Sequence, residues 1–214
     1  MARLGANLEG IKMKRIANMT WTSIAVVLLL LTQTACSTLT ALDTRHQLIV
    51  SVPDQKMILL ENGTAVATYT ISTAKKGIGD TPDSYKTPGG KMEVAEKIGA
   101  GSATGTVFKD RKPTGEIVGP DAPGRDPVVT RILWLRGLEE QNKNAYPRFI
   151  YIHGTPQESL LGNPASYGCI RMRSADVAEL FDRIGVGALV TVTEQTVDQL
   201  LPVSKTAAGP VPQG

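Results

Sequence analysis

Three side chains in the last third of the chain have types and spacing that could do chemistry together: Cys169, His153 and Arg171. His153 ends an apolar run sixteen residues before Cys169, and Arg171 follows the cysteine by two positions. A thiol is only a few per cent thiolate at neutral pH, so a thiol nucleophile needs a base such as histidine beside it. A guanidinium near that pair could bind a substrate carboxylate. The set predicts acyl transfer through Cys169, with His153 as base.

The turn that carries the cysteine, Ser166-Tyr167-Gly168-Cys169, favours the same chemistry. Gly168 has no side chain, which leaves room for a substrate carbonyl, and backbone N–H groups in the turn could form an oxyanion hole. Simpler interpretations remain open at this point, because a single cysteine is often a small core residue and a histidine at a strand end is often an ordinary polar group. We expect no metal or cofactor, since His46 and His153 are the only histidines and no Cys/His cluster has ligand spacing.

Composition indicates one β-rich domain preceded by a targeting segment. The 214 residues include 21 glycines and 13 prolines, which predict many turns, and aromatic residues make up only 5%. The formal net charge of +3 arises before Cys36, and the rest of the chain balances nineteen basic residues with nineteen acidic ones. A neutral domain without a basic patch gives no case for nucleic-acid binding.

The N-terminal segment is typical of an export signal. An apolar run over 24–31 follows Lys14 and Arg15, and it is too short to span a bilayer comfortably. Thr34-Ala35-Cys36 resembles a bacterial lipobox, in which Cys36 would be lipidated and become the new N-terminus, although Gln33 departs from the usual aliphatic residue. We therefore predict a lipoprotein signal over 1–35, with the true start possible at Met13, and a tether over 36–45.

Other interpretations of this segment are an ordinary secretory signal cut nearby and an uncleaved membrane anchor. All of them place the domain outside the cytoplasm, and the lipoprotein interpretation places it at the periplasmic face of a membrane in the cell envelope. An exported chain could instead form a Cys36–Cys169 disulfide, but that bond would consume the thiol that the surrounding turn presents.

The elements that must position these residues are mostly strands. A hairpin is predicted over 47–52 and 56–60, a turn at Asn62-Gly63 and a third strand over 64–72. Further strands are predicted over 92–98, 131–136, 148–153 and 188–193, with a long lid-like loop over 99–126. Ser174 is the predicted N-cap of a helix that ends at Gly185, and a single apolar stripe favours packing of that helix behind Cys169: Val177, Leu180, Phe181, Ile184.

The run from His153-Gly154-Thr155 to Ser166-Tyr167-Gly168-Cys169-Ile170-Arg171 closely resembles the active-site signature of the L,D-transpeptidase (YkuD-like) family. The early hairpin and the Thr87-Pro88-Gly89-Gly90 turn resemble the family layout as well. The resemblance covers about residues 46–194. It implies a mainly β, sandwich-like catalytic domain that remodels peptidoglycan, followed over 195–214 by a short helix and a disordered tail.

By this resemblance Cys169 is the nucleophile, His153 is the base, and the backbone carbonyl of Gly154 orients the imidazole. Cys169 would attack the position-three carbonyl of a donor stem peptide and expel D-alanine. The acyl group would then pass to an amine, either of another stem or of an envelope lipoprotein. The substrate-binding residues implied are Arg171, Gly168, Ser166 and Tyr167, with Arg171 either placing a substrate carboxylate or ordering the pocket.

Two points stay open at this level. Water as the acceptor would make the chain an L,D-carboxypeptidase or hydrolase, and a catalytically weak peptidoglycan-binding module could use the same groove. Tyr167 stands where the family commonly has histidine, so it keeps a ring but loses a group that titrates near neutrality. We expect the nucleophilic chemistry to be retained, with substrate preference or the pKa of the thiol altered.

Overall fold

The computed structural model describes residues 41–201, and strands dominate this part of the chain. Ten strands are present: β1 (His46–Ser51), β2 (Lys56–Glu61), β3 (Thr64–Ser72), β4 (Gly90–Ile98), β5 (Thr106–Lys109), β6 (Lys112–Ile117), β7 (Val128–Gly137), β8 (Tyr151–Gly154), β9 (Ile170–Met172) and β10 (Leu189–Thr193). The α-helices of the described residues are α1 (Ser174–Arg183) and α2 (Val197–Leu200), and two short 3-10 turns cover Glu140–Asn142 and Glu158–Leu160.

Eight of the strands close into a ring. Their order is β4-β10-β1-β2-β3-β9-β8-β7, and β7 pairs with β4 to complete the circuit. Most neighbours are antiparallel, but β1 runs parallel to β10 and β8 parallel to β9. The mainly β fold predicted from the sequence is confirmed, with a closed barrel in place of a sandwich. Closure leaves few unpaired sheet edges.

One continuous apolar core fills the ring beneath α1, which packs against β7 and β8. The stripe predicted for the helix is confirmed, because its four apolar side chains are buried in this core: Val177, Leu180, Phe181 and Ile184. The expected cap is wrong, however. Ser174 is the first helical residue, its N–H donates to the carboxylate of Glu158 at 2.9 Å, and its hydroxyl accepts from Thr130.

The strand predictions before residue 98 agree with the structure within a few residues, and the Asn62-Gly63 turn has positive φ at both positions. Two predictions nearer the site need detail that the sequence did not supply. The segment 99–126, predicted as a lid-like loop, contains the β5–β6 hairpin. The strand expected to begin at Arg148 begins at Tyr151, because Phe149 adopts a φ of +57° that breaks extended structure.

Some predictions fall outside the described residues. The signal segment, the lipobox with Cys36, most of the tether and the tail from Pro202 all lie there. In residues 41–201, none of the helices is both long and apolar enough to cross a membrane.

Candidate active site

Strands β8 and β9 bring the predicted nucleophile and base onto the same face of the sheet. The two strands are parallel, and His153 is the register partner of Arg171. Side chains alternate along a strand, and Ile152, Ile170 and Met172 point into the main core. His153 and Arg171 alternate with these core residues and therefore face the opposite way. Cys169, which immediately precedes β9, lies on the same side as His153 and Arg171.

The turn before β9 is closed by its own hydrogen bonds. The Ser166 hydroxyl donates to the Cys169 carbonyl at 2.6 Å and accepts from the Gly168 N–H at 3.2 Å. Gly168 has a φ of +133°, and a Cβ there would lie 3.2 Å from the Ile150 side chain and 3.4 Å from the Lys86 carbonyl. Ser166 is 2% exposed, so its hydroxyl holds the turn in shape and is not directed at substrate.

The Cys169 thiol lies partly buried between two backbone groups. Its Sγ accepts from the Tyr151 N–H and donates to the Phe149 carbonyl, both at 3.4 Å. Burial raises the pKa of the thiol to about 11, against a smaller opposing effect of the Tyr151 N–H and of Arg171 and Arg148. At neutral pH the resting group is therefore the thiol and not the thiolate.

His153 is buried and held in one orientation. Its Nδ1 lies 2.8 Å from the Gly154 carbonyl oxygen, which can only accept, so Nδ1 carries the hydrogen and Nε2 is left as the basic nitrogen. Burial lowers the pKa of the imidazole to about 4, although the Gly154 carbonyl partly offsets this. Within residues 41–201 no hydrogen bond joins Sγ to the imidazole, so the resting pair is neutral and not bonded.

Gly154 has a steric reason to be glycine. A Cβ at this position would lie 2.7 Å from the Val129 carbonyl oxygen and 3.2 Å from side chains of Thr130 and Val177. Contacts below 3.0 Å to backbone require the backbone to shift, so a side chain here would displace the carbonyl that orients His153.

Arg171 forms a buried ion pair with Asp126, at 2.5 Å between Nη2 and Oδ2. The other carboxylate oxygen of Asp126 accepts from the Thr155 hydroxyl at 2.6 Å. Asp126 is at the end of the segment predicted as a lid, and the pair fixes that end against β8 and β9. Arg171 therefore orders the pocket, and its guanidinium is already neutralised before any substrate carboxylate arrives.

A second buried ion pair, Arg148–Asp80, lies on the other side of Cys169. The nitrogen–oxygen distance is 2.9 Å, and Arg148 also donates to the carbonyls of Gly79 and Lys86. Asp80 accepts from the Asn144 N–H at 2.7 Å. These contacts fix the loop 79–86 against the segment 144–148, which leads into β8 and lines the thiol cavity through Arg148.

The β5–β6 hairpin reaches the site through Arg111 in its turn. The guanidinium of Arg111 lies 4.9 Å from the ring centroids of both Trp134 and Phe149, and it donates to the Tyr151 hydroxyl at 3.4 Å. Phe149 and Tyr151 are the residues whose backbone groups contact the thiol. The hairpin is therefore in contact with the walls of the site.

Tyr167 lies at the border of two cavities. The thiol cavity, of about 350 Å³, is lined by Cys169 together with Tyr85, Arg148, Phe149 and Ile150. The lysine cavity, of about 590 Å³, has a more polar wall that contains Lys75, Asp126, Gln157, Leu160 and Arg171. Tyr167 lines both cavities, is 76% exposed, and meets Tyr85 edge-to-face with ring centroids 5.9 Å apart.

The structure thus brings together the residues singled out from the sequence, with Gly168 and Ser166 shaping the turn and Tyr167 exposed beside it. Sequence reasoning missed Asp80, Asp126, Arg148 and Arg111. Each is a charged residue in a turn-rich or irregular segment, where no periodic pattern indicates burial. The proximity of Asp126 to the end of a long loop was the only available signal.

Comparisons with known proteins point to one family. A family model described as the L,D-transpeptidase catalytic domain (YkuD) matches residues 45–192. The Bacillus subtilis (strain 168) protein named "Putative L,D-transpeptidase YqjB" is 30% identical over 146 residues, which cover 68% of this chain and 70% of that protein.

Two solved structures of L,D-transpeptidases are also similar. One, from Mycobacterium tuberculosis H37Rv, is 17% identical with a TM-score of 0.45, and covers 70% of this chain and 58% of its own. The other, from Enterococcus faecium, is 18% identical with a TM-score of 0.46, and covers 71% of this chain and 50% of its own. The chain thus spans less than two thirds of either solved protein.

Proposed function

Because the chain belongs to the YkuD family of L,D-transpeptidase catalytic domains, we propose that it is a peptidoglycan L,D-transpeptidase that works through Cys169. The donor is a stem peptide, attacked at the carbonyl of its third residue. The acceptor is an amine, carried by the diamino acid of a second stem or by an envelope lipoprotein.

The observation that carries the proposal is the pairing of a neutral thiol with a neutral, carbonyl-oriented imidazole on one face of adjacent strands. With pKa values of about 11 and about 4, neither group is charged at pH 7. His153 Nε2 then acts as a general base that takes the thiol proton as attack proceeds. The sulfur–carbon bond forms, the amide carbon–nitrogen bond breaks, and the same proton passes to the departing amine of D-alanine.

In the second half of the reaction the acceptor amine attacks the thioester. Its nitrogen–carbon bond forms while the sulfur–carbon bond breaks, and the amine proton returns through His153 to the sulfur. Water in place of the amine would release the stem as a free acid. Exclusion of water from the acyl-enzyme would favour the amine, and the hairpin is placed to contribute to it, because Arg111 contacts the Phe149 ring and the Tyr151 hydroxyl.

The experiment is product analysis by mass spectrometry after incubation with disaccharide-tetrapeptide. Transpeptidation predicts release of alanine together with a cross-linked dimer. Release without a dimer would mean that the chain is a hydrolase. If the wild type and Cys169→Ala are both inert while both still bind sacculi, the chain is a binding module and the enzymatic proposal fails.

We propose further that the catalytic domain, residues 46–194, works in the cell envelope, tethered through a lipidated Cys36. Support comes from the sequence: the basic pair Lys14 and Arg15, the apolar run over 24–31 and the small residues before the cysteine. Labelled palmitate should enter the wild-type protein and be lost in Cys36→Ala. Absence of label from the wild type would contradict the lipoprotein assignment.

A further inference from the structure

Some of the charged side chains that line the lysine cavity are paired with each other, and one is not. Arg171 is 6% exposed and paired with Asp126, so these two charges largely neutralise each other. Lys75 lines the same cavity, is exposed, and takes part in none of the ion pairs of the described residues. The cation that remains available to an incoming anion in this cavity is therefore the ammonium group of Lys75.

The backbone of Lys75 is fixed to the turn that carries the nucleophile. Its N–H donates to the Ser166 carbonyl at 3.1 Å, and Ala74 forms an isolated parallel bridge with Ser166. The Ala74 N–H donates to the Thr87 hydroxyl at 2.9 Å, which fixes the segment from its other side. Lys75 is thus attached to a rigid position one residue away from Tyr167, and not to a free loop.

The two cavities meet at Tyr167, which lines both. A peptide whose carbonyl reaches Cys169 in the thiol cavity can extend past the Tyr167 ring into the lysine cavity. Stem peptides carry free carboxylates. The lysine ammonium group has three N–H donors at the end of a flexible aliphatic side chain, which suits a carboxylate whose position differs between substrates.

We propose that Lys75, and not Arg171, is the residue that binds a substrate carboxylate in this site. The inference rests on the proposed function, because it takes stem peptides as the ligands. The ligand is a peptide with a free carboxylate. Two sources share this chemistry: the terminal carboxylate of the donor tetrapeptide and a carboxylate of the acceptor stem.

The test compares Lys75→Gln with Lys75→Arg and with Lys56→Gln, an exposed lysine on β2 that lines neither cavity. Each variant is assayed with donor and acceptor peptides in free-acid and amidated forms. In one of the two arms we expect Lys75→Gln to raise KM about tenfold for the acid, with kcat little changed. The amidated peptide should be a poor substrate for the wild type and unaffected by the substitution.

Lys75→Arg should restore most of the affinity, and Lys56→Gln should behave as the wild type does. The arm that responds identifies whether the donor or the acceptor supplies the carboxylate. Equal KM values for acid and amide in both arms, or an unchanged KM in Lys75→Gln, would overturn the proposal.

A second readout separates this proposal from the proposed function. Stem peptides should protect Cys169 from alkylation by iodoacetamide, and half-protection should need about tenfold more acid peptide in Lys75→Gln. If the wild type shows no turnover but this protection persists, the enzymatic proposal fails and the carboxylate site stands. If turnover occurs and protection is the same in both proteins, the carboxylate site fails. No protection of the wild type at any concentration also overturns it.

Discussion

The thiol cavity and the lysine cavity share the Tyr167 side chain but differ in size and polarity. The thiol cavity is lined by three aromatic rings, two prolines and the charged side chains of Asp83 and Arg148, and the pKa of its thiol is raised by burial. The lysine cavity is larger and more polar, and among the described residues that line it Lys75 is the cation that joins no ion pair, beside the Arg171–Asp126 pair. Each cavity has one wall fixed by a buried arginine–aspartate pair, Arg148–Asp80 for the first and Arg171–Asp126 for the second.

Under the two proposals above, the thiol cavity carries out the chemistry and the lysine cavity binds the substrate carboxylate. Burial keeps the thiol protonated until a base removes the proton. A protonated thiol is a weak nucleophile, so it is protected from side reactions before the substrate binds. Free charge around a substrate carboxylate gives affinity and orientation. Arg148 and Arg171 take no direct part in either the chemistry or the binding of the carboxylate, because each donates its N–H groups to a nearby loop.

The largest expected effect separates chemistry from binding. His153→Gln should lower the rate of D-alanine release about 100- to 10,000-fold, because the general base is lost, while KM changes little. Lys75→Gln should instead raise KM about tenfold and leave kcat little changed. Steady-state kinetics with one donor peptide measures both, and a fall in kcat of less than tenfold in His153→Gln would show that proton transfer uses another group.

The two arginine–aspartate pairs should matter more to stability than any pair on the surface. Asp80→Ala and Asp126→Ala should each lower the free energy of unfolding by about 3–5 kcal/mol, because each leaves a buried guanidinium without its partner. The control is Glu93→Ala, which removes the exposed Arg136–Glu93 pair and should cost about 1 kcal/mol or less. Urea denaturation measures all three, and equal losses would contradict the burial argument.

Sequence reasoning recovered the parts of this molecule that follow a pattern. Two short apolar runs predicted β1 and β2, alternating β-branched residues predicted β3, and the 3.6-residue stripe predicted α1 with its buried face. The cysteine, histidine and glycine of the site were found because their types and spacing form a signature. Such features are local, so the chain alone determines them.

What escaped prediction depends on contacts between segments distant in sequence. Asp126 pairs with a residue 45 positions away, and Asp80 with one 68 positions away, and neither lies in a periodic element. The sequence left two roles open for Arg171, placing a substrate carboxylate or ordering the pocket, because the sequence does not reveal its ion pair with Asp126. The strand start at Tyr151 was missed because positive φ at Phe149 has no sequence signal in a bulky residue.

The raised thiol pKa predicts a distinctive pH dependence of Cys169 reactivity. Its value of about 11 lies two pH units above the ordinary 9.0, so at pH 8 the thiolate fraction should be about 100-fold below that of a free cysteine. Iodoacetamide alkylation should be slow at pH 8 and should rise with pH up to about 11. Asp126 contributes to raising the pKa, so Asp126→Asn should speed alkylation at pH 8. A plateau below pH 8 in the wild type would mean that a thiolate is already present.

The smallest expected effect concerns the border between the cavities. Tyr85→Ala removes the edge-to-face contact with Tyr167, which should couple the two rings by about 1 kcal/mol. A double-mutant cycle with Tyr167→Ala, measured on stem-peptide binding, gives this coupling. A coupling of zero would show that Tyr167 acts at the border between the two cavities without help from Tyr85.

The central claim is that Cys169 forms a thioester with the donor stem peptide, and intact-protein mass spectrometry tests it most directly. Wild-type protein mixed with a donor tetrapeptide and no acceptor should gain the mass of the peptide minus alanine, and proteolytic mapping should place that mass on Cys169. The adduct should be absent in Cys169→Ala and should form more slowly in His153→Gln. Release of alanine by the wild type without any adduct, or an adduct on another residue, would contradict the account.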